Sequence, residues 1–140
     1  MQSTLLQAPS EDEWHGLETG LYEMAREVRR RSPRARLIFV DYVTVLPEGE
    51  LCPQTPLSPQ AASTARATAA RLAKVTADVA LQTKADLVAA SDLSRAHHAC
   101  AADPWVTGFI APNGADPFIP YHPNLEGMTA VAEALESLLG

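Results

Sequence analysis

A single histidine, His122, stands between Pro120 and Pro123. It lies at the end of a long irregular run and at the mouth of an amphipathic helix. An imidazole titrates near neutrality, so at such a position it can take a proton from a hydroxyl and return it to a leaving group. The run before it begins at Asp103-Pro104-Trp105-Val106-Thr107-Gly108 and reaches Tyr121-His122-Pro123-Asn124, rich in Pro, Gly and aromatics. About twenty residues without regular structure in so small a domain are the mark of a built site. On residue type alone His122 is either a general base or a solvated residue flanking a helix. Trp105, Phe109 and Tyr121 either line an apolar binding surface or pack into the core. The remaining histidines offer less. His97 and His98 are adjacent and point in different directions, and together with Asp103 and His122 they lack the spacing of a metal centre. We expect no metal and no cofactor. His15 falls in the first turn of a helix, off its apolar stripe, and reads as solvated.

The elements that must carry these residues follow from periodicity and punctuation. Ser10-Glu11-Asp12-Glu13 has the form of a capping box, and Trp14, Leu17, Leu21, Met24, Ala25 and Val28 follow at helical spacing. Acidic residues at the start of this helix and Arg29-Arg30-Arg31 at its end complement its dipole, and Ser32-Pro33 stops it. Arg36 to Val43 is an apolar run of the kind buried on both faces of a parallel sheet. Asp41 lies near its C-terminal end and reads as a turn acid. Leu46 to Pro59 is a Pro-rich loop. Ser58-Pro59 opens a second helix, with Ser as N-cap and Pro at the first helical position, running over Gln60 to about Thr83 with Ala65, Ala69, Leu72, Thr76 and Val79 on one face. Ala85 to Ala90 reads as a second strand. Asn124 caps the last helix, whose buried face is Met128, Val131, Ala132, Leu135, Leu138 and Leu139. The order helix, strand, helix, strand, loop, helix predicts an α/β fold with two parallel strands and right-handed crossovers. One domain over residues 1–140 is the expectation for this length.

Three segments carry a resemblance to a known family. His97-His98-Ala99-Cys100, Asp103-Pro104-Trp105-Val106 and Tyr121-His122-Pro123-Asn124-Leu125-Glu126-Gly127-Met128 resemble the C-terminal part of secreted actinobacterial SGNH (GDSL-type) hydrolases, a family of lipases and esterases. The shared series is H-x-x-C, then P-W, then H-P-N-x-x-G, and the resemblance covers most of the chain, from about Trp14 to the end. The resemblance implies a three-layer αβα, flavodoxin-like fold with a mostly parallel sheet, here in a partial version. It also implies ester hydrolysis with His122 as general base and a small ester or lipid as substrate, with Trp105 and Tyr121 at the substrate. The family's nucleophilic Gly-Asp-Ser block and its Gly-x-Asn-Asp oxyanion block do not occur in the 140 residues. The nucleophile is therefore unknown. Ser91 and Ser94, after the second strand, are the candidates within the chain. The Asp that many relatives place three residues before the catalytic His is Ile119 here, and Asp116 is six residues before it. Some secreted members orient the imidazole with a main-chain carbonyl instead, and residues 116–120, with the Phe118 and Ile119 carbonyls foremost, are in position to do so.

Cys52 and Cys100 are, as residues, two buried thiols or one bridge. The resemblance implies the bridge, and with it a secreted or extracellular location. Met1 to Ser10 lacks the basic start and apolar core of a signal peptide. A formal net charge of −6 gives no nucleic-acid footprint, and no apolar run approaches the length of a membrane span. In the similar enzymes the Arg36–Val43 strand has a neighbour on each side, whereas two strands alone are marginal and an apolar edge recruits other chains. The expected partner is a second copy in a homodimer, or a second chain supplying the Ser block. The alternative function is a non-catalytic oligomeric or binding protein built on the same scaffold.

Overall fold

The computed structural model describes residues 7–110 and 119–140. Expectations placed on Asp116, on the Phe118 carbonyl and on Met1 to Leu6 lie outside the described residues. The order is α1 (Glu11–Arg31), β1 (Ile38–Val40), α2 (Pro59–Gln82), β2 (Asp86–Val88), a short α3 (Ala90–Leu93) and α4 (Leu125–Leu139).

The two long helices start where their caps dictate. The Ser10 hydroxyl accepts the Glu13 N–H, and the Glu13 carboxylate accepts the Ser10 N–H at 2.8 Å, closing the capping box. Ser58 accepts the Ala61 N–H at 3.1 Å, with Pro59 at the start of α2. The three arginines ending α1 do more than face a dipole. Arg29 donates to the carbonyls of Thr83 and Lys84 at 2.9 and 2.8 Å, covering the C-terminal end of α2, while Arg30 and Arg31 pair with Glu27. At the other end Arg71 of α2 forks onto the Glu11 carboxylate and lies over the Trp14 ring, which is buried.

β1 and β2 are parallel, with Ile38, Phe39 and Val40 opposite Asp86, Leu87 and Val88. Side chains alternate across a sheet. Phe39 and Leu87 therefore turn toward α1 and α2, where Phe39 packs with Ala25, Val79 and Ala80 and with the half-buried Leu21, Leu37, Val75, Ala85 and Leu87. α4 packs against β2 on the other side, and Arg36 pins it there by binding Asp86 at 2.7 Å and the Leu138 carbonyl at 2.8 Å. The result is three layers, a partial αβα fold with a parallel sheet. A second apolar cluster, Val43, Ala90, Ala99 and Val106 with Val45 and Val131, sits beyond the C-terminal ends of the strands and joins the loops to α4. Among the described residues no helix is long and apolar enough to cross a membrane.

Four expectations need correction. On α4, Met128, Ala132 and Leu139, expected on the buried face, are exposed. Both strands are three residues long rather than eight and six. The ladder ends when Asp41, after one further bond to the Val88 carbonyl, turns its carboxylate onto Ser91, and Ala90 has by then begun α3. The Arg36–Val43 run is not buried on both faces, since Val40 is 42% exposed and Tyr42 46%. On α1 the buried stripe runs through Trp14 and Ala25, and Met24, one position round the helix, is half exposed.

Candidate functional site

The site is assembled by loops that lack regular structure and hold each other by backbone contacts. Cys52 and Cys100 form a disulfide with Cα atoms 5.6 Å apart, tying the Pro-rich loop to the turn after α3. Thr55, almost fully buried, bonds back to the Cys52 carbonyl with both its N–H and its hydroxyl. The neighbouring Gln54 carbonyl accepts the Phe109 N–H at 2.7 Å. The Pro-rich loop thus grips the site segment at two points. The second grip needs glycine, because a Cβ on Gly108 would lie 2.5 Å from the Gln54 carbonyl oxygen.

The His97 turn forms the next layer. His97 Nδ1 lies 2.8 Å from the Asp103 carbonyl, and its ring stacks on Trp105 at 3.9 Å with the planes 1° apart. Trp105 N–H donates to the His97 carbonyl at 2.9 Å, and the Trp105 carbonyl accepts from Asn124 N–H at 3.0 Å. Asn124 then does three things at once. Besides that bond, its amide donates to Pro104 at 2.6 Å and its side-chain oxygen caps α4 at the Gly127 N–H. An isolated antiparallel bridge between Val106 and Pro123 completes the join.

His122 sits on this frame, exposed. Its Nδ1 is 2.8 Å from the Pro120 carbonyl oxygen. A nitrogen facing a carbonyl must carry the proton, so Nε2 holds the lone pair. The acceptor lies within residues 116–120, where the sequence points, but it is Pro120 and not Ile119. The Ile119 carbonyl is engaged elsewhere, by the Thr107 hydroxyl at 2.7 Å. The turn that brings Pro120 and His122 together puts Tyr121 at φ 58°, in the left-handed region. Tyr121 is held there by its N–H on the Gly108 carbonyl at 3.2 Å and by the Tyr42 hydroxyl on its own carbonyl at 2.8 Å. Partial burial raises the pKa of both phenols.

Of the aromatics, Tyr121 faces Phe109 at 5.9 Å, next to His122, and Phe109 and Ile110 are half exposed. Trp105 spends a ring face on His97. The hydroxyls of both candidate serines are engaged elsewhere. The Ser91 hydroxyl and N–H both donate to Asp41, which thereby caps α3 rather than ending in solvent. Ser94 is fully buried, giving its proton to the Ala90 carbonyl and accepting the Thr44 N–H. Among the described residues no serine hydroxyl hydrogen-bonds His122. Thr107 and Tyr42 are site residues that the sequence reading did not single out. The one available signal was Thr107, a lone hydroxyl inside the Pro-, Trp- and Gly-punctuated run.

No protein-family model matches the sequence, and no curated protein does. Among solved structures the chain is similar to the phospholipase A1 of Streptomyces albidoflavus NA297, with a TM-score of 0.75 at 19% identity, covering 86% of this chain and 50% of that one. It is also similar to the extracellular lipase of Streptomyces rimosus, with a TM-score of 0.73 at 22% identity and coverage of 86% and 50%. The chain spans about half the length of these solved proteins. It shares their fold over that half.

Proposed function

We propose that this protein is the base-bearing half of a secreted, lipolytic ester hydrolase of SGNH type. In this reading His122 is the general base, and the serine comes from a segment beyond these 140 residues. The observation that carries the reading is the Nδ1 contact to the Pro120 carbonyl, which leaves the Nε2 lone pair for a substrate-side proton. Nε2 takes the proton of the serine hydroxyl as its oxygen attacks the ester carbonyl. The Pro120 dipole stabilises the imidazolium, and the same proton goes to the departing alkoxide as the C–O bond breaks. Water then repeats the sequence on the acyl-enzyme. The oxyanion donors arrive with the serine block. Tyr121 with Phe109 offers an apolar surface for the acyl chain. Trp105, expected at the substrate, stacks on His97.

Secretion is supported by the disulfide and by the fold shared with an extracellular lipase. The missing serine is supplied by a further segment or a second chain that carries the Gly-Asp-Ser block. The exposed Val40 of β1, Tyr42 just beyond it and the half-exposed Met128 on α4 flank an apolar groove where such a segment can seat.

Hydrolysis of a short p-nitrophenyl ester tests the chemistry. It is measured for the protein alone and with a supplied Gly-Asp-Ser segment, beside fluorophosphonate labelling. His122→Ala should lower turnover on the order of a hundredfold or more. Equal rates for wild type and His122→Ala in every assembly refute the proposal. Light scattering should return more than one chain per particle for the active species.

A further inference from the structure

One side chain grips the turn before His122 from both ends. The Thr107 hydroxyl donates to the Ile119 carbonyl at 2.7 Å, with the His122 carbonyl second at 3.2 Å, and it accepts the His122 N–H at 3.0 Å. Its main-chain N–H donates to the His122 carbonyl at 2.9 Å. Residues 119 to 122 are therefore bracketed by a residue 15 positions earlier in the chain. The turn needs bracketing. A tyrosine at φ 58° is strained and persists only where its surroundings over-determine it. The imidazole–Pro120 bond joins residues two apart, so the backbone between them sets its geometry.

We propose that Thr107 is a positioning residue for the His122 imidazole: its hydroxyl fixes the 119–122 turn so that Nδ1 meets the Pro120 carbonyl and Nε2 carries the lone pair. The catalytic meaning of this assignment rests on His122 being the base. The geometric claim does not. Thr107→Val is close to isosteric and keeps the main-chain bond while deleting the hydroxyl. Thr107→Ser keeps the hydroxyl. The two substitutions separate hydrogen bonding from bulk.

The ring nitrogens of His122, followed by nitrogen-15 NMR on the whole protein, give a readout independent of turnover. Wild type and Thr107→Ser should show the Nδ1–H tautomer. Thr107→Val should shift toward the Nε2–H form that free imidazole prefers. A Thr107→Val ring with the wild-type tautomer overturns the proposal. If Thr107→Val does not fold, the wild-type protein decides the matter. Its Thr107 hydroxyl proton should exchange slowly and show a cross-peak to the His122 amide, and a hydroxyl in fast exchange overturns the assignment. In the ester-cleaving assembly, Thr107→Val should lower kcat on the order of ten- to a hundredfold at unchanged KM, with Thr107→Ser restoring it. An unchanged kcat overturns the positioning role. Activity retained by His122→Ala would instead overturn the assignment of the base, leaving the tautomer result standing.

Discussion

The carbonyl oxygen of Trp105 occupies the space in which a side chain on Gly127 would begin: a Cβ there would lie 2.1 Å from it. Helix α4 therefore meets the site loop backbone to backbone, and that approach puts Asn124 in reach of both Pro104 and Trp105. Gly127→Ala should lose about 2–3 kcal/mol of stability by urea unfolding, because the clashing atom is main chain and cannot swing away. Alanine gains about 1 kcal/mol of helix propensity over glycine, so an unchanged or raised midpoint would show that the clash is relieved elsewhere.

The Cys52–Cys100 bridge spans 48 residues. Closing a loop of that length restricts the unfolded chain by about 4 kcal/mol in chain-entropy terms. The double variant Cys52→Ala/Cys100→Ala should unfold at lower denaturant by about that amount. Intact-mass analysis of protein matured under oxidising conditions should find no alkylatable thiol without reductant, and two such thiols would contradict the bridge.

Lys84 follows the end of α2 at φ 53°, where glycine bears no steric penalty. Its N–H and carbonyl make bonds that need no side chain. Lys84→Gly should raise stability by up to about 1 kcal/mol, the left-handed penalty less the extra entropy of unfolded glycine. A lower melting temperature would show that the lysine side chain contributes more than its backbone costs.

Three glutamates on α1 are held below the ordinary carboxylate range. The cause is the Arg71 hydrogen bond for Glu11, the Ser10 N–H for Glu13 and the Arg30 hydrogen bond for Glu27. A carboxylate depressed in the folded state stabilises it above the unfolded pKa, and that contribution fades as pH falls through the folded value. Stability should therefore be level near neutrality and decline below about pH 4. The decline should be shallower in Glu13→Gln. Salt should weaken the Glu11 and Glu27 contributions more than that of Glu13, whose main partner is an uncharged N–H.

Local features were legible in the sequence. The caps at Ser10, Ser58 and Asn124 are written within three residues of their partners, and all three are in place. The parallel α/β order was legible too. Strand length was not, because an apolar run does not disclose that Asp41 leaves the ladder to cap α3. The disulfide was legible through family resemblance. Thr107 and Tyr42 were not, because their partners lie 15 and 79 residues away and nothing in a lone threonine or a strand-end tyrosine announces them.

That separation of 79 residues between Tyr42 and Tyr121 has a bearing on how the molecule matures. Contacts so distant along the chain form only after the intervening segment has closed, so they come late in folding. His122 should acquire its native ring resonance in the slowest refolding phase, after the helices register by circular dichroism. A nascent or partly folded chain would then hold its imidazole loose. Any proton transfer at His122 would switch on only as the final loop docks, making its imidazole a reporter of completed folding.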